Sequence, residues 1–248
     1  MDLEQEISAF MRMREFNSII NISLKHKYVY LAVAKAACST IKKRLIDYEV
    51  SPFKYKNREI HADIFSSPFV KPYQLDEETL RQVLFSGEFY RFSFVRNPCV
   101  RVLSAYLEKI VCHKPQSREV LRALDLPFDN DAIASTDLTF EEFIQSIEKT
   151  SLRSLNKHWR PQFMLLLHPF LEFDFIGKVE SFEDDWAEVA AKIGLTDDAD
   201  ENVLWHQTSA REKLDQYYSS NLVGRVSNVY RKDFEVYGYE SIVDTMRL

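Results

Sequence analysis

Three stretches of the chain carry the pattern of a buried strand running into an amphipathic helix. In the first, Tyr28, Val29, Tyr30, Leu31, Ala32 and Val33 form a continuous apolar, partly β-branched run. A helix extends from its end to about residue 48. In the second, Phe89–Val95 places Tyr90, Phe92 and Phe94 on one face. Val100, Leu103, Leu107 and Ile110 then recur at the spacing of an apolar helical stripe. In the third, Phe173–Val179 precedes Phe182, Trp186, Val189 and Ile193, and Gly194 suits the end of that helix. Further helices are predicted over about 1–20, from Asp76 to Leu84, over 117–124, over Leu138–Ser151 with Phe140, Phe143, Ile144 and Ile147 inward, and over about 219–236. Pro52, Pro68 and Pro72 mark a loop-rich stretch, residues 113–137 read as an irregular insertion, and the acidic run at 196–201 reads as a solvated loop. Strands alternating with helices imply an α/β fold, a parallel sheet flanked by helices on both faces. We expect one domain over 1–248, with an N-terminal helix and a core over about 28–239.

The corners after the first two strands carry candidate chemistry. Lys35 ends the first strand, and Ala36, Ala37, Cys38, Ser39 and Thr40 turn the corner with little side-chain bulk. A loop that small lets an anion approach the amides of a helix N-terminus. Lys35 adds a cation, and Ser39 and Thr40 add hydroxyl donors. The GxxxxGK[ST] loop of nucleoside triphosphatases is absent, so the expected grip is not of Walker type. At the second corner Arg96 stands at the strand's end, Asn97 suits an N-cap and Pro98 the first helical position. Arg96 and Ser104 are placed to clamp one phosphate between them. The plainer alternatives are a helix capped by Ser39, a surface ion pair for Arg96 and an incidental serine at 104. Lys35 and Arg96 both fall at carboxyl ends of predicted strands, the edge where α/β sheets take ligands.

Composition narrows the setting. With 248 residues and 46% apolar composition the chain can bury one sizeable core. Cys38, Cys99 and Cys112 are an odd count without disulfide spacing, and neither CxxC nor HExxH occurs, so no metal site is expected. Net charge is −6, which disfavours broad nucleic-acid affinity. Residues 21–60 nevertheless hold nine Lys/Arg and three Asp/Glu, a local +6 that leaves −12 for the remainder. This basic block surrounds the Lys35 corner. The start, MDLEQEISAF, lacks the features of a signal peptide, and no window approaches the roughly 18 apolar residues of a membrane span.

The segments AKAACST (34–40) and FVRNPCVRVLSAY (94–106) resemble the two donor-binding motifs of sulfotransferases that use 3′-phosphoadenosine 5′-phosphosulfate, and are most similar to the carbohydrate-type branch. HWRPQF (158–163) with FDFIGKVESFEDDW (173–186), and YRKDFEVYGY (230–239), resemble that branch's middle and C-terminal signatures. The resemblance implies the P-loop-like sulfotransferase fold. It implies a 5′-phosphosulfate held by Lys35, Ala36, Ala37, Cys38, Ser39 and Thr40, and a 3′-phosphate held by Arg96 and Ser104. It also implies a hydroxyl-bearing acceptor, in this branch a carbohydrate. The family often has glycine where Ala37 stands. Its Golgi members carry a membrane anchor and cysteines that LLLHPFLEF (165–173) lacks, so a cytoplasmic, bacterial member is expected, with a truncated lumenal domain as the alternative.

The chemistry sets three tasks: a cation near the bridging oxygen, for which Lys35 is the candidate, donors that align the phosphosulfate, and a base for the acceptor hydroxyl. His61 is the first choice of base, on the side chain's near-neutral titration and on the resemblance. His158 and Glu180 are the alternatives. Two other readings compete. One is a P-loop-like kinase, weakened by the missing GK[ST] loop. The other is a non-catalytic nucleotide-binding protein.

Overall fold

The computed structural model of the chain describes residues 2–53, 67–195 and 209–240. In chain order the first elements are α1 (Leu3–Ser8), α2 (Met13–Ile19), β1 (Ile20–Ser23), β2 (Tyr28–Leu31), α3 (Cys38–Val50), α4 (Glu77–Phe85), β3 (Tyr90–Val95) and α5 (Pro98–Ala105). They are followed by α6 (Ser117–Ala123), α7 (Asn130–Ser135), α8 (Phe140–Lys149), α9 (Gln162–Leu165), β4 (Phe175–Lys178), α10 (Phe182–Ile193), α11 (Leu214–Tyr217), α12 (Ser220–Val229) and α13 (Arg231–Tyr237). The chain divides into two compact units, one of Met1–Val95 and Met164–His206, the other of Arg96–Phe163 and Gln207–Leu248.

The first unit is built on the sheet, in the order β1-β2-β3-β4. The pairs β2–β3 and β3–β4 are parallel, as the strand–helix alternation predicts, with Tyr30 level with Phe92 and Phe94 with Gly177. One face carries Tyr28, Tyr30, Phe92 and Phe94, packed with Ile41 and Leu45 of α3 and with Phe182, Trp186, Val189 and Ile193 of α10. Val29, Leu31, Ser93 and Val95, which alternate with them, are also buried, so both faces of the central strands are shielded from water. The helical stripe read over 182–193 is thus the core face of α10, and Gly194 closes that helix at φ 77°.

The start of this unit departs from the reading. In place of one helix over 1–20, α1 and α2 are separated by a break, and β1 joins β2 antiparallel, Ile20 opposite Leu31 and Ser23 opposite Tyr28. The sheet is therefore mixed, with an antiparallel edge strand on a parallel core. Polar residues conceal β1 in the sequence. Asn21 is buried, its amide donating to the carbonyls of Ile19 at 2.9 Å and Tyr30 at 3.1 Å. The buried Lys71 ammonium donates to Ile20 O and Asn21 Oδ1, each at 2.8 Å. Those bonds satisfy polar groups that burial alone would penalise.

The second unit is helical. Phe140, Phe143, Ile144 and Ile147 of α8 face its core with Val100, Leu103, Tyr106, Trp159, Val223 and Val226. Thr139 and Glu142 form a capping box that starts α8. The single terminal helix expected over 219–236 is two, α12 and α13, broken at Tyr230. No helix among the described residues is long and apolar enough to cross a membrane.

Candidate functional site

The first corner lies in the first unit. β2 ends at Leu31 and α3 begins at Cys38, so Ala32–Ala37 form the connection. Two of its non-glycine residues take left-handed backbone, Lys35 at φ 68° and Ala37 at φ 56°. Left-handed residues interleaved with ordinary ones turn successive amides toward one side, the geometry of an anion-binding nest. Ala37 is the N-cap of α3, and its methyl makes no side-chain cap bond to the first helical turn. Ala36 is buried, Lys35, Ala37, Cys38 and Ser39 are half-buried, and Thr40 is 8% exposed. The loop is thus a small, strained, cationic turn at the head of a helix.

The second corner opens the second unit. Asn97 caps α5 as its sequence suggests, accepting from Cys99 N at 3.0 Å and Val100 N at 3.4 Å, with Pro98 in the first turn. Every residue of α5 is buried, Ser104 and Arg101 included. The burial of Arg101 was not foreseen. Its guanidinium donates to the carbonyls of Arg160 at 2.8 Å and Lys157 at 3.0 Å. Arg96 is half-buried, and the Gln162 side chain grips its backbone from both sides. Gln162 Oε1 accepts from Arg96 N at 2.9 Å and Gln162 Nε2 donates to Arg96 O at 2.8 Å.

Gln162 is itself fixed. The fully buried Asp233 of α13 accepts from the amides of Gln162 and Phe163, each at 2.8 Å. Burial raises the Asp233 carboxyl to about 6, while those two amides and the Arg101 charge pull the other way. Tyr230, also buried, donates its hydroxyl to the carbonyl of Trp159. The middle signature, 158–163, is therefore pinned by α5 on one side and by the C-terminal signature on the other. Arg101, Gln162, Tyr230 and Asp233 lay unremarked within motifs read for other residues. The available signal was an arginine in an otherwise apolar helix and an acid beside the aromatics of a terminal helix.

The candidate bases belong to different parts of the chain. His61 lies outside the described residues. His158, in the second unit, is half-buried with Nδ1 2.6 Å from Asn156 Oδ1. Glu180, in the first unit, is exposed just ahead of α10. Trp159 is buried against Phe143 in the helical core, a packing residue.

Lys35 lies in the loop between β2 and α3 and Arg96 directly follows β3 ahead of α5, strand–loop–helix corners of an α/β fold. The Sulfotransferase family matches residues 19–240, and the chain belongs to that family. It is 27% identical to a carbohydrate sulfotransferase 14 of Danio rerio, over 89% of this chain and 62% of the relative. It is 26% identical to the human carbohydrate sulfotransferase 14, over 89% and 60%, and 23% identical to carbohydrate sulfotransferase 12 of Xenopus laevis, over 91% and 61%. The carbohydrate-type resemblance read from the motifs is borne out. The chain spans about 60% of the length of these curated relatives. No solved structure matches it significantly.

Proposed function

We propose that the chain is a sulfotransferase that moves the sulfuryl group of 3′-phosphoadenosine 5′-phosphosulfate to a carbohydrate hydroxyl. One observation carries the reading: β2 and β3 are adjacent and parallel, Tyr28 opposite Tyr90 and Leu31 opposite Ser93. The chain therefore leaves toward Lys35 and toward Arg96 at one edge of the sheet, the edge where such folds take ligands. A nucleotide with two anionic groups calls for two cations, and Lys35 and Arg96 are the candidates. The relatives' names support a carbohydrate acceptor.

In this reading the S–O bond to the phosphate breaks as a bond to the acceptor oxygen forms. The bridging electron pair leaves with the phosphate, and the hydroxyl proton passes to a base. Lys35 sits against the charge that develops on the leaving oxygen. The amides of Ala36, Ala37 and Cys38, with Ser39 and Thr40, hold the group in line for attack. Arg96 takes the 3′-phosphate. Ser104, buried in α5, is its secondary partner. His61 remains our choice of base, with His158 and Glu180 behind it.

Radiolabelled donor incubated with a panel of polysaccharides tests the proposal. Label is expected on a saccharide, and Lys35→Ala should lower turnover by about 100-fold or more with a smaller change in donor KM. Full turnover in that variant, or transfer only from a nucleoside triphosphate with magnesium, would contradict the assignment.

A further inference from the structure

Arg96 is the first residue beyond β3, where the sheet no longer dictates its backbone. The Gln162 amide replaces the missing neighbour strand, giving one donor and one acceptor to the same residue. A primary amide is among the few side chains that can do both at once. Asp233 then holds the amides of Gln162 and Phe163 with its two oxygens, one apiece. Arg101 ties down Lys157 and Arg160 at the other end of the same segment. All of these groups lie within the second unit. Buried groups placed this way cost desolvation unless every bond is made, so the arrangement fixes one geometry.

We infer that Gln162 and Asp233 are positioning residues for the donor's 3′-phosphate, aiming the Arg96 guanidinium by clamping its backbone. This rests on the reading of Arg96 as the 3′-phosphate ligand. Gln162 touches no reacting atom and acts only through Arg96. Its removal therefore costs the selectivity that Arg96 supplies and spares the rest of the nucleotide's grip.

Titration calorimetry with adenosine 3′,5′-bisphosphate and adenosine 5′-phosphate separates the two contributions. Gln162→Met keeps the length of the side chain and deletes both bonds. It should weaken the bisphosphate about tenfold and leave the monophosphate within twofold. In an Arg96→Ala background the same substitution should add nothing. Equal weakening of both nucleotides, or an undiminished effect without Arg96, would overturn the inference. If Arg96→Ala abolishes discrimination and Gln162→Met retains it, the positioning role alone falls. If Arg96→Ala also retains it, the 3′-phosphate reading falls with it. Asp233→Asn keeps one of the two acceptors and carries the same test, with a smaller loss expected, should Gln162→Met not fold.

Discussion

Two residues show how local conformation and burial set what a site residue can be. Ala37 occupies left-handed backbone at φ 56°, where a Cβ costs about 1–2 kcal/mol. Glycine would remove that cost and add a comparable loss of unfolded-chain entropy. Ala37→Gly is therefore expected to change stability by less than about 1 kcal/mol, whereas Ala37→Val, β-branched in the same conformation, should lose roughly 2 kcal/mol or more in urea unfolding. Asp233 gives a second case, through pH. Its carboxyl is raised to about 6, so the folded state binds its proton more readily than the unfolded chain. Stability from this group is present at low pH and lost as pH rises through 6. Arg101 favours the charged form, and the neighbouring Tyr230 and Tyr237 stay protonated throughout this range. Measured against Asp233→Asn, the wild type should gain on the order of 2–3 kcal/mol as pH falls from 7 to 4. A flat difference would contradict the assignment.

At the scale of elements, β4 depends on a close approach. A Cβ built on Gly177 would lie 2.5 Å from the Phe94 ring, its partner across β3 and β4. That ring packs against Phe175, Phe182 and Trp186. Gly177→Ala should cost about 1–3 kcal/mol and lower Tm by several degrees in a thermal melt. The elements differed in how far the sequence disclosed them. β3, α8 and α10 were legible because their apolar residues follow one period, and β2 because its apolar run is unbroken. β1 was not, since Asn21 interrupts it and its polarity is satisfied by the backbone of Ile19 and Tyr30 and by Lys71, fifty residues away. The break between α12 and α13 escaped notice because Tyr230, which ends α12, is apolar by composition and fits the helical stripe. The corners at Lys35 and Arg96 could be read from local chemistry. The clamp behind Arg96 could not, because Gln162 and Asp233 reach it only through tertiary folding.

At the scale of the whole molecule, the charge that would hold a nucleotide is unevenly distributed. Residues 21–60 carry a local +6 on a chain of net −6. The Lys35 loop follows β2 in the first unit, and Arg96 with its clamp belongs to the second. We propose that Lys35 and Arg96 each hold one anionic group of the nucleotide. The direct measurement is the Kd of adenosine 3′,5′-bisphosphate for the wild type, Lys35→Ala and Arg96→Ala. Losing the charge-assisted pair at Arg96 should cost about 2–4 kcal/mol. Losing Lys35, whose charge matters most during transfer, should cost about tenfold in affinity. Weakening in both variants is the predicted result, and unchanged affinity in either one would contradict the claim.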